Sequence, residues 1–234
     1  MKKIIRVLLS SCFVFLLIPT AFAQIINPEI NGITLAPVLT GGNKVEEAPF
    51  FNEQWSEGSV MVNINSKPFF IQKMKYDLKE DKVLISNEQG VFAFPKGSIL
   101  GFSLKIFNEK KSSTQTYHFL SGIEGVANYT PANFFLVHYN SDKIKFLEKI
   151  DVVLQQAPGS SYGSSTKDFV YAKREKYFIY KDNKGIEVKK NKKSILEVLG
   201  KDNKELENFI KVNKLNLKKT DDIVALLKYF ETKI

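Results

Sequence analysis

Apolar and polar residues alternate most regularly between residues 100 and 106 of this 234-residue chain. Successive side chains of a strand point to opposite faces of a sheet, so this spacing predicts a strand with one buried and one open face. The same reasoning predicts a second strand near residues 146–154. The apolar members of the two patterns are Leu100, Phe102, Leu104, Ile106, Phe146, Ile150, Val152 and Leu154.

Other short runs are rich in β-branched and aromatic residues and are bounded by turn-forming residues, which is typical of strands. Ser66-Lys67-Pro68 separates two such runs and predicts a hairpin, and Asp182-Asn183-Lys184-Gly185 predicts another hairpin turn. The predicted strands lie at 60–64, 69–76, 82–86, 91–94, 116–120, 134–139, 169–172, 177–180 and 186–189.

After Lys190 the apolar spacing changes to the period of a helix, about 3.6 residues. Three short helices are predicted, with Gly200 ending the first and Asp202 with Glu205 forming a capping box for the second. Thr220 is the predicted N-cap of the third helix. The apolar stripes are Ile195, Val198, Leu199; Leu206, Phe209, Ile210; and Ile223, Leu226, Leu227, Phe230.

Runs of strands followed by runs of helices indicate an α+β fold, and the absence of alternating helices argues against a doubly wound parallel sheet. We expect a mostly antiparallel β meander, forming a rolled sheet, a barrel or a sandwich, followed by two or three short C-terminal helices. The predicted divisions are a signal peptide at 1–23, an extended leader at 24–57, a β domain at 58–190 and a helical tail at 191–234.

The N-terminal residues have the pattern of a secretory signal peptide. Lys2, Lys3 and Arg6 precede an apolar run, which ends at Ala21-Phe22-Ala23. We predict cleavage between Ala23 and Gln24 and a mature protein in the periplasm, on the cell surface or in the medium.

Leu9-Ser10-Ser11-Cys12 has the form of a lipobox, which would anchor the protein by a lipid on Cys12. Cleavage before Cys12 would leave too short an apolar run before it, so the sequence argues against lipid anchoring. Cys12 is the single cysteine, and its removal with the signal peptide would leave no disulfide and no thiol nucleophile.

The net charge of +9 is concentrated in the C-terminal part, where residues 173–234 contain 17 Lys and Arg against 10 Asp and Glu. This distribution allows the tail to bind a polyanion or an anionic membrane surface. The lysines are interspersed with acidic residues, which favours an ordinary solvated surface. Nucleic acid is an improbable partner for an exported protein.

Gly159-Ser160-Ser161-Tyr162-Gly163 matches the G-x-S-x-G motif of α/β-hydrolases, with Ser161 as the nucleophile. That motif requires a strand followed by a helix and a histidine later in the chain. Here a strand follows, and both histidines precede the motif. We interpret the segment as a loop that could bind a ligand. Its candidate ligand residues are Ser160, Ser161, Tyr162, Ser164, Ser165 and Thr166.

His118 and His138 each lie in an aromatic strand segment and could share a metal if their strands were neighbours. No metal-binding spacing accompanies them, so a half-exposed structural position is the preferred interpretation. The sequence also contains no dinucleotide, phosphate-loop or calcium-loop motif. We therefore predict no cofactor and no metal site.

Several stretches of the chain resemble a group of secreted, uncharacterised proteins of Bacteroidetes-type bacteria. The resemblance implies a periplasmic, surface or secreted setting in a Gram-negative cell, and it implies no function or site residue. The stretches are Phe51-Asn52-Glu53-Gln54-Trp55 before Gly58-Ser59-Val60, Lys75-Tyr76-Asp77-Leu78, Tyr162-Gly163-Ser164-Ser165-Thr166-Lys167, and the tail from Phe209-Ile210-Lys211 to Tyr229.

These observations favour a non-enzymatic envelope or secreted protein that binds a ligand or partner on aromatic-bearing strands or on the loop near residue 160. The partner could be another envelope protein, a polysaccharide or an anionic envelope polymer. Two alternatives remain open. One is a carbohydrate-directed hydrolase that uses a pair of carboxylates, and the other is a polyanion binder that uses the lysine-rich tail.

Overall fold

The structure is a computed structural model that describes residues 27–38, 49–109, 112–156, 169–200 and 203–233. It contains thirteen strands followed by three helices. Their bounds are β1 (Glu29–Ile30), β2 (Ile33–Thr34), β3 (Ala36–Pro37), β4 (Ser56–Met61), β5 (Phe69–Asp77), β6 (Lys82–Asn87), β7 (Gly90–Ala93), β8 (Gly101–Asn108), β9 (Ser113–Leu120), β10 (Phe135–Asn140), β11 (Ile144–Gln156), β12 (Phe169–Lys181), β13 (Lys184–Val188), α1 (Lys192–Leu199), α2 (Lys204–Val212) and α3 (Thr220–Glu231).

Eleven strands form one antiparallel sheet in the order β13-β12-β11-β10-β9-β8-β4-β5-β6-β7-β3, and β1 pairs with β2 alone. Two meanders, β4 to β7 and β8 to β13, build ten strands of this sheet and join where β4 pairs with β8, and β3 pairs with β7 as the eleventh strand. Among the described strands the two edges, β3 and β13, do not pair, so the sheet is open. The predicted α+β class and antiparallel meander are confirmed.

The first part of the sheet curves around an aromatic core. Phe102 and Phe119 are neighbours on β8 and β9, and their rings stack with centroids 4.5 Å apart. Tyr76 from β5 contacts both rings edge to face, at 5.1 Å. The alternation that predicted the strand near residue 100 thus places Phe102 and Leu104 in the core.

A buried ion pair joins β11 to the turn after β5. Lys149 Nζ lies 3.1 Å from Asp81 Oδ1 and donates to the carbonyl of Phe134 at 3.2 Å. Asp81 also accepts hydrogen bonds from the Tyr76 hydroxyl and from Asn133 Nδ2. Burial, followed by the neighbouring Asp81 carboxylate, raises the pKa of Tyr76 well above its usual value. These contacts satisfy both buried charges, which would otherwise be costly.

Few residues pair between β9 and β10. These strands pair at only two positions, Phe135 with Leu120 and Leu136 with Phe119. A β-bulge follows in β10 between Val137 and Tyr139. The rolled part of the sheet and the β10–β13 part therefore share few main-chain hydrogen bonds.

The three helices cover one face of β11, β12 and β13. Ile195, Leu206, Ile223 and Leu227 pack with Phe146 in one buried cluster. The Asn191 and Asn203 side chains cap α1 and α2. The N-cap of α2 is therefore Asn203, and the predicted capping box of Asp202 with Glu205 is wrong. Among the described helices, none combines the length and the hydropathy needed to span a membrane.

The predicted cap of the third helix is wrong. Thr220 is the first residue of α3, Lys219 occupies the N-cap position, and no side chain caps the helix there. The favourable first-turn charges of Asp221 and Asp222 remain, because carboxylates near a helix N-terminus interact well with its dipole.

The segment between β9 and β10 covers the opposite face of the same strands. Its Ile123 and Val126 pack against Leu147 and Phe178 in a separate buried cluster. Val126 also makes a parallel bridge with Gly185 of β13. A Cβ atom at position 185 would lie 2.6 Å from Val126 Cγ2, so the missing side chain permits this contact.

The structure joins two of the predicted strands. Residues 169–172 and 177–180 belong to the single strand β12, because residues 173–176 also pair with β11. The predicted turn at Asp182 and Asn183 is confirmed, and both residues have the positive φ values that a two-residue hairpin turn requires. Residues 27–38, within the predicted leader, contain the short strands β1, β2 and β3.

Candidate functional site

The strands β11 and β12 form a long ribbon that extends beyond its neighbours. They pair without a bulge from Ile144 with Lys181 to Gln156 with Phe169. The strand β10 pairs with β11 only as far as Glu148, and β13 pairs with β12 only as far as Tyr177. We call residues 144–148 and 177–181 the body half of the ribbon, and residues 151–156 and 169–174 the ribbon end.

The ribbon end exposes an unusual number of apolar side chains. Leu154 is 58% exposed, Phe169 is 55% exposed and Val170 is 40% exposed. Tyr171, which pairs with Leu154, is also exposed. Single exposed apolar residues are common on protein surfaces, whereas an exposed cluster marks an interaction site.

Strand alternation sorts the ribbon end into two faces. Leu154, Tyr171 and Phe169 lie on one face, which we call the apolar face, because paired residues and residues two apart share a face. Val170, Arg174 and the residue paired with Arg174, Asp151, lie on the other, which we call the basic face after the exposed Arg174. The exposed Arg174 guanidinium has no ion-pair partner among the described residues.

Three contacts attach the ribbon end to the rolled part of the sheet. Lys173 Nζ donates to the carbonyl of Phe50 at 2.6 Å, and Val152 packs against the aromatic core. Burial lowers the pKa of Lys173. Lys79, from the turn after β5, lies over the Tyr171 ring at 5.6 Å. The base of the ribbon end is therefore fixed while its outer residues stay open.

A cluster of charged and polar side chains lies where the ribbon end meets the body half. Lys176 Nζ is 2.9 Å from Asp151 Oδ2, and the Tyr129 hydroxyl donates to the same carboxylate oxygen at 2.7 Å. The hydrogen bond with Asp151 raises the pKa of Lys176. Burial, with the Asp151 hydrogen bond, raises the pKa of Tyr129 to about 12. These contacts fix the Asp151 carboxylate within the structure.

The body half contains a second cluster of polar side chains. His138 Nε2 and Glu148 Oε2 are 2.6 Å apart. The Tyr177 hydroxyl donates to Glu175 at 2.6 Å and accepts from Lys190 Nζ at 2.9 Å. Burial is the main cause that raises the pKa of Tyr177, and the nearby carboxylates add to it. This group connects β10, β11, β12 and the residues after β13.

The two histidines line one cavity, of about 380 Å³, between β9 and β10. His118 is exposed on β9, and His138 is held by Glu148 on the other side. In the part of the chain that the structure describes, no three His, Cys, Asp or Glu side chains form a group that could hold a metal. The histidines share a cavity but not a recognisable metal site.

Some of the carboxylates and lysines that the two alternative functions could use form ion pairs. Glu197 and Glu207 line a cavity of about 360 Å³ beside α1, but Glu207 lies 2.9 Å from Lys192. In the tail, Lys233 lies 3.3 Å from Glu205. These ion pairs neutralise Glu207, Lys192, Glu205 and Lys233, and most of the described lysines of the tail have no salt bridge.

The predicted ligand residues and the predicted processing site lie outside the described residues. They are Ser160, Ser161, Tyr162, Ser164, Ser165, Thr166, Cys12, Ala23 and Gln24. The described strand residues that lead into the predicted loop are those of the ribbon end. The sequence identified 169–172 as a strand, but its pattern did not indicate that both of its faces would be exposed.

Comparisons of this chain with protein-family models, with curated proteins and with solved structures find no match.

Proposed function

We propose that this chain is an exported, non-enzymatic binding protein whose partner protein docks on the ribbon end. The observation that carries the proposal is the cluster of exposed apolar side chains on a ribbon attached at its base, with Leu154 and Phe169 the most exposed. The aromatic-bearing strands named by the sequence analysis thus include the proposed docking surface.

Burial of these side chains supplies the driving force for docking. Removing apolar surface from water stabilises a complex by roughly 25 cal/mol per Å², and aromatic residues are enriched among the residues that dominate protein interfaces. Because the ribbon is attached through Lys173 and Val152, docking costs little ordering of its base.

Export rests on the signal peptide pattern, with Lys2, Lys3 and Arg6 before the apolar run and cleavage after Ala23. N-terminal sequencing of the protein recovered from the cell envelope or medium should begin at Gln24. Recovery of the protein with residues 1–23 attached, from the cytosol, would contradict export.

Docking can be tested by retention of envelope proteins on the immobilised mature chain. The double variant Leu154→Ser with Phe169→Ser should lose a specifically retained partner. The matched control is Ile64→Ser with Val212→Ser, because those residues are also strongly exposed but lie far from the ribbon end in the chain. Loss in both variants, or in neither, would contradict docking at the ribbon end.

A further inference from the structure

The strand β12 has an open edge along the ribbon end. The strand β13 pairs with Tyr177 to Lys181, and among the described residues no strand pairs with the same edge between Phe169 and Lys176. An open edge presents a row of main-chain N–H and C=O groups, which are a template for another strand.

The turn between β12 and β13 tells which residues provide those groups. Lys181 and Lys184 flank a two-residue turn, so their main-chain groups point to each other. The pairing with β11 continues without a bulge, so the direction alternates regularly along β12. The N–H and C=O groups of Phe169, Tyr171, Lys173 and Glu175 therefore point to the open edge.

The side chains beside this edge differ between its two faces. On the apolar face, an added strand would lie beside Tyr171 and Phe169. On the basic face it would lie beside Val170, Ala172 and Arg174, and the Arg174 guanidinium has no ion-pair partner among the described residues. A strand with apolar residues on one side and acidic residues on the other would complement both faces.

We propose that the partner adds an extended segment of alternating apolar and acidic residues to the open edge of β12. This inference rests on the proposed function and specifies the chemistry of its partner. The unpaired main-chain groups select an extended polypeptide, and the alternating side chains select its sequence pattern.

Charge favours an acidic partner over a second copy of this chain. Lys79 lies near Asp77 and Glu80, Lys173 lies near Glu53, and Lys176 is paired with Asp151. The exposed Arg174 is the basic residue of the ribbon end that has no ion-pair partner among the described residues. Without residues 1–23, which contain three of the positive charges, the chain still carries a net charge of +6. Two copies paired along this edge would bring like charges together, whereas an acidic segment would meet opposite charge.

Synthetic peptides provide the probe. An acetylated, amidated eight-residue peptide that alternates valine and glutamate should bind the mature chain in a fluorescence-anisotropy titration. A peptide that alternates valine and lysine should bind at least about tenfold more weakly, a difference of about 1.4 kcal/mol. Equal affinity for the two peptides would overturn the proposed charge pattern.

Methylated peptides separate strand pairing from simple charge attraction. In an extended peptide the valine amides point to one edge and the glutamate amides to the other. Methylating the valine amides in one peptide and the glutamate amides in another should weaken binding at least about tenfold in only one of them. Equal effects in the two peptides would overturn strand addition.

Two variants at one position test the edge itself. Tyr171→Pro and Tyr171→Thr both remove the ring, but only Tyr171→Pro removes the N–H that points to the open edge. Proline is tolerated on edge strands because no internal pairing is lost. The Tyr171→Pro variant should bind the valine–glutamate peptide at least about fivefold more weakly than Tyr171→Thr. Equal binding by the two variants would overturn the inference.

The result separates this inference from the proposed function. If the peptides do not bind but Leu154→Ser with Phe169→Ser still loses its envelope partner, docking stands and strand addition fails. If the peptides bind but partner retention is unchanged by that double variant, the proposed function fails. A dimer of the mature chain in sedimentation, lost in Tyr171→Pro, would show a second copy on the edge and overturn the acidic partner.

Discussion

The body half and the ribbon end have the same backbone pairing but opposite surroundings. In the body half, Leu147 is fully buried and Phe178 is 2% exposed, because helices cover one face and the segment before β10 covers the other. In the ribbon end, Leu154 and Phe169 lie on the same two strands and are more than half exposed. The strands are continuous, so the difference comes from the elements that pack against them.

Within one pair of strands, the body half provides stabilising packing and the ribbon end exposes the proposed docking surface. A two-stranded ribbon is marginal in water unless another element packs on it. The body half has that support, and through continuous pairing it fixes the strand direction of the ribbon end. The ribbon end can therefore expose apolar side chains, because the packing of the body half stabilises the two strands.

The largest expected difference concerns two leucines of β11. We expect Leu147→Ala to lower the free energy of unfolding by about 2–5 kcal/mol, because it opens a cavity between packed elements. Leu154→Ala should change it by about 0.5 kcal/mol or less, because the side chain is already exposed. Urea denaturation followed by circular dichroism measures both. Similar losses in the two variants would contradict the division of the ribbon.

The ion pair beside the ribbon end provides the next test. Asp81→Asn preserves the side-chain shape and suits the positive φ at this position, but it leaves the buried Lys149 ammonium without a counter-charge. We expect a loss of about 3–5 kcal/mol. Adding Lys149→Met should recover much of it, because the unpaired charge is removed. If Asp81→Asn behaved like an exposed substitution, the ion pair would not support this junction.

Alkaline pH should weaken the body half. Burial raises the pKa of Tyr177 in the folded chain, whereas in the unfolded chain tyrosine ionises near pH 10. The stability that this difference contributes is fully present below pH 10. Above pH 10 the unfolded chain releases its proton first, so the free energy of unfolding falls as pH rises. Denaturation at several pH values should show that the free energy of unfolding of Tyr177→Phe declines less steeply above pH 10 than that of the unchanged chain. An equally steep decline would contradict the raised pKa of Tyr177.

Hydrogen exchange should distinguish the two edges of β12 without changing stability. In the ribbon end, the amides of Tyr171 and Lys173 should exchange at least about tenfold faster than those of Val170 and Ala172, which point to β11. In the body half, Ile179 and Tyr180 should both be protected, because β13 and β11 cover both edges. NMR exchange spectra measure this difference, and equal exchange at Val170 and Tyr171 would show that the edge is covered.

Local pattern predicted most of the elements. Alternation around Leu104 identified a strand, because a pleated chain places every second side chain in the core. The period of about 3.6 residues after Lys190 identified three helices. The cap at Thr220 failed because Ser, Thr, Asn and Asp side chains near a helix start can occupy either the cap or the first turn, and the pattern does not distinguish the two.

The candidate site was predicted less well. The pattern marked residues 169–172 as a strand but also marked the body-half residues 177–180, and apolar content did not separate the exposed run from the buried one. The ligand residues from Ser160 to Thr166 were chosen from composition and lie outside the described residues. Exposure depends on neighbours that are distant along the chain, and a local pattern contains no information about them.

By itself, the sequence determined the periodicities, the Asp182–Asn183 turn and the α+β order, because these depend on neighbouring residues and on backbone preferences. Only the tertiary structure decided that β12 would be one strand, that Lys149 would meet Asp81 across 68 positions, and that one end of the ribbon would remain uncovered. Those outcomes depend on which distant surfaces meet, and burial and charge pairing act only after the chain has brought them together.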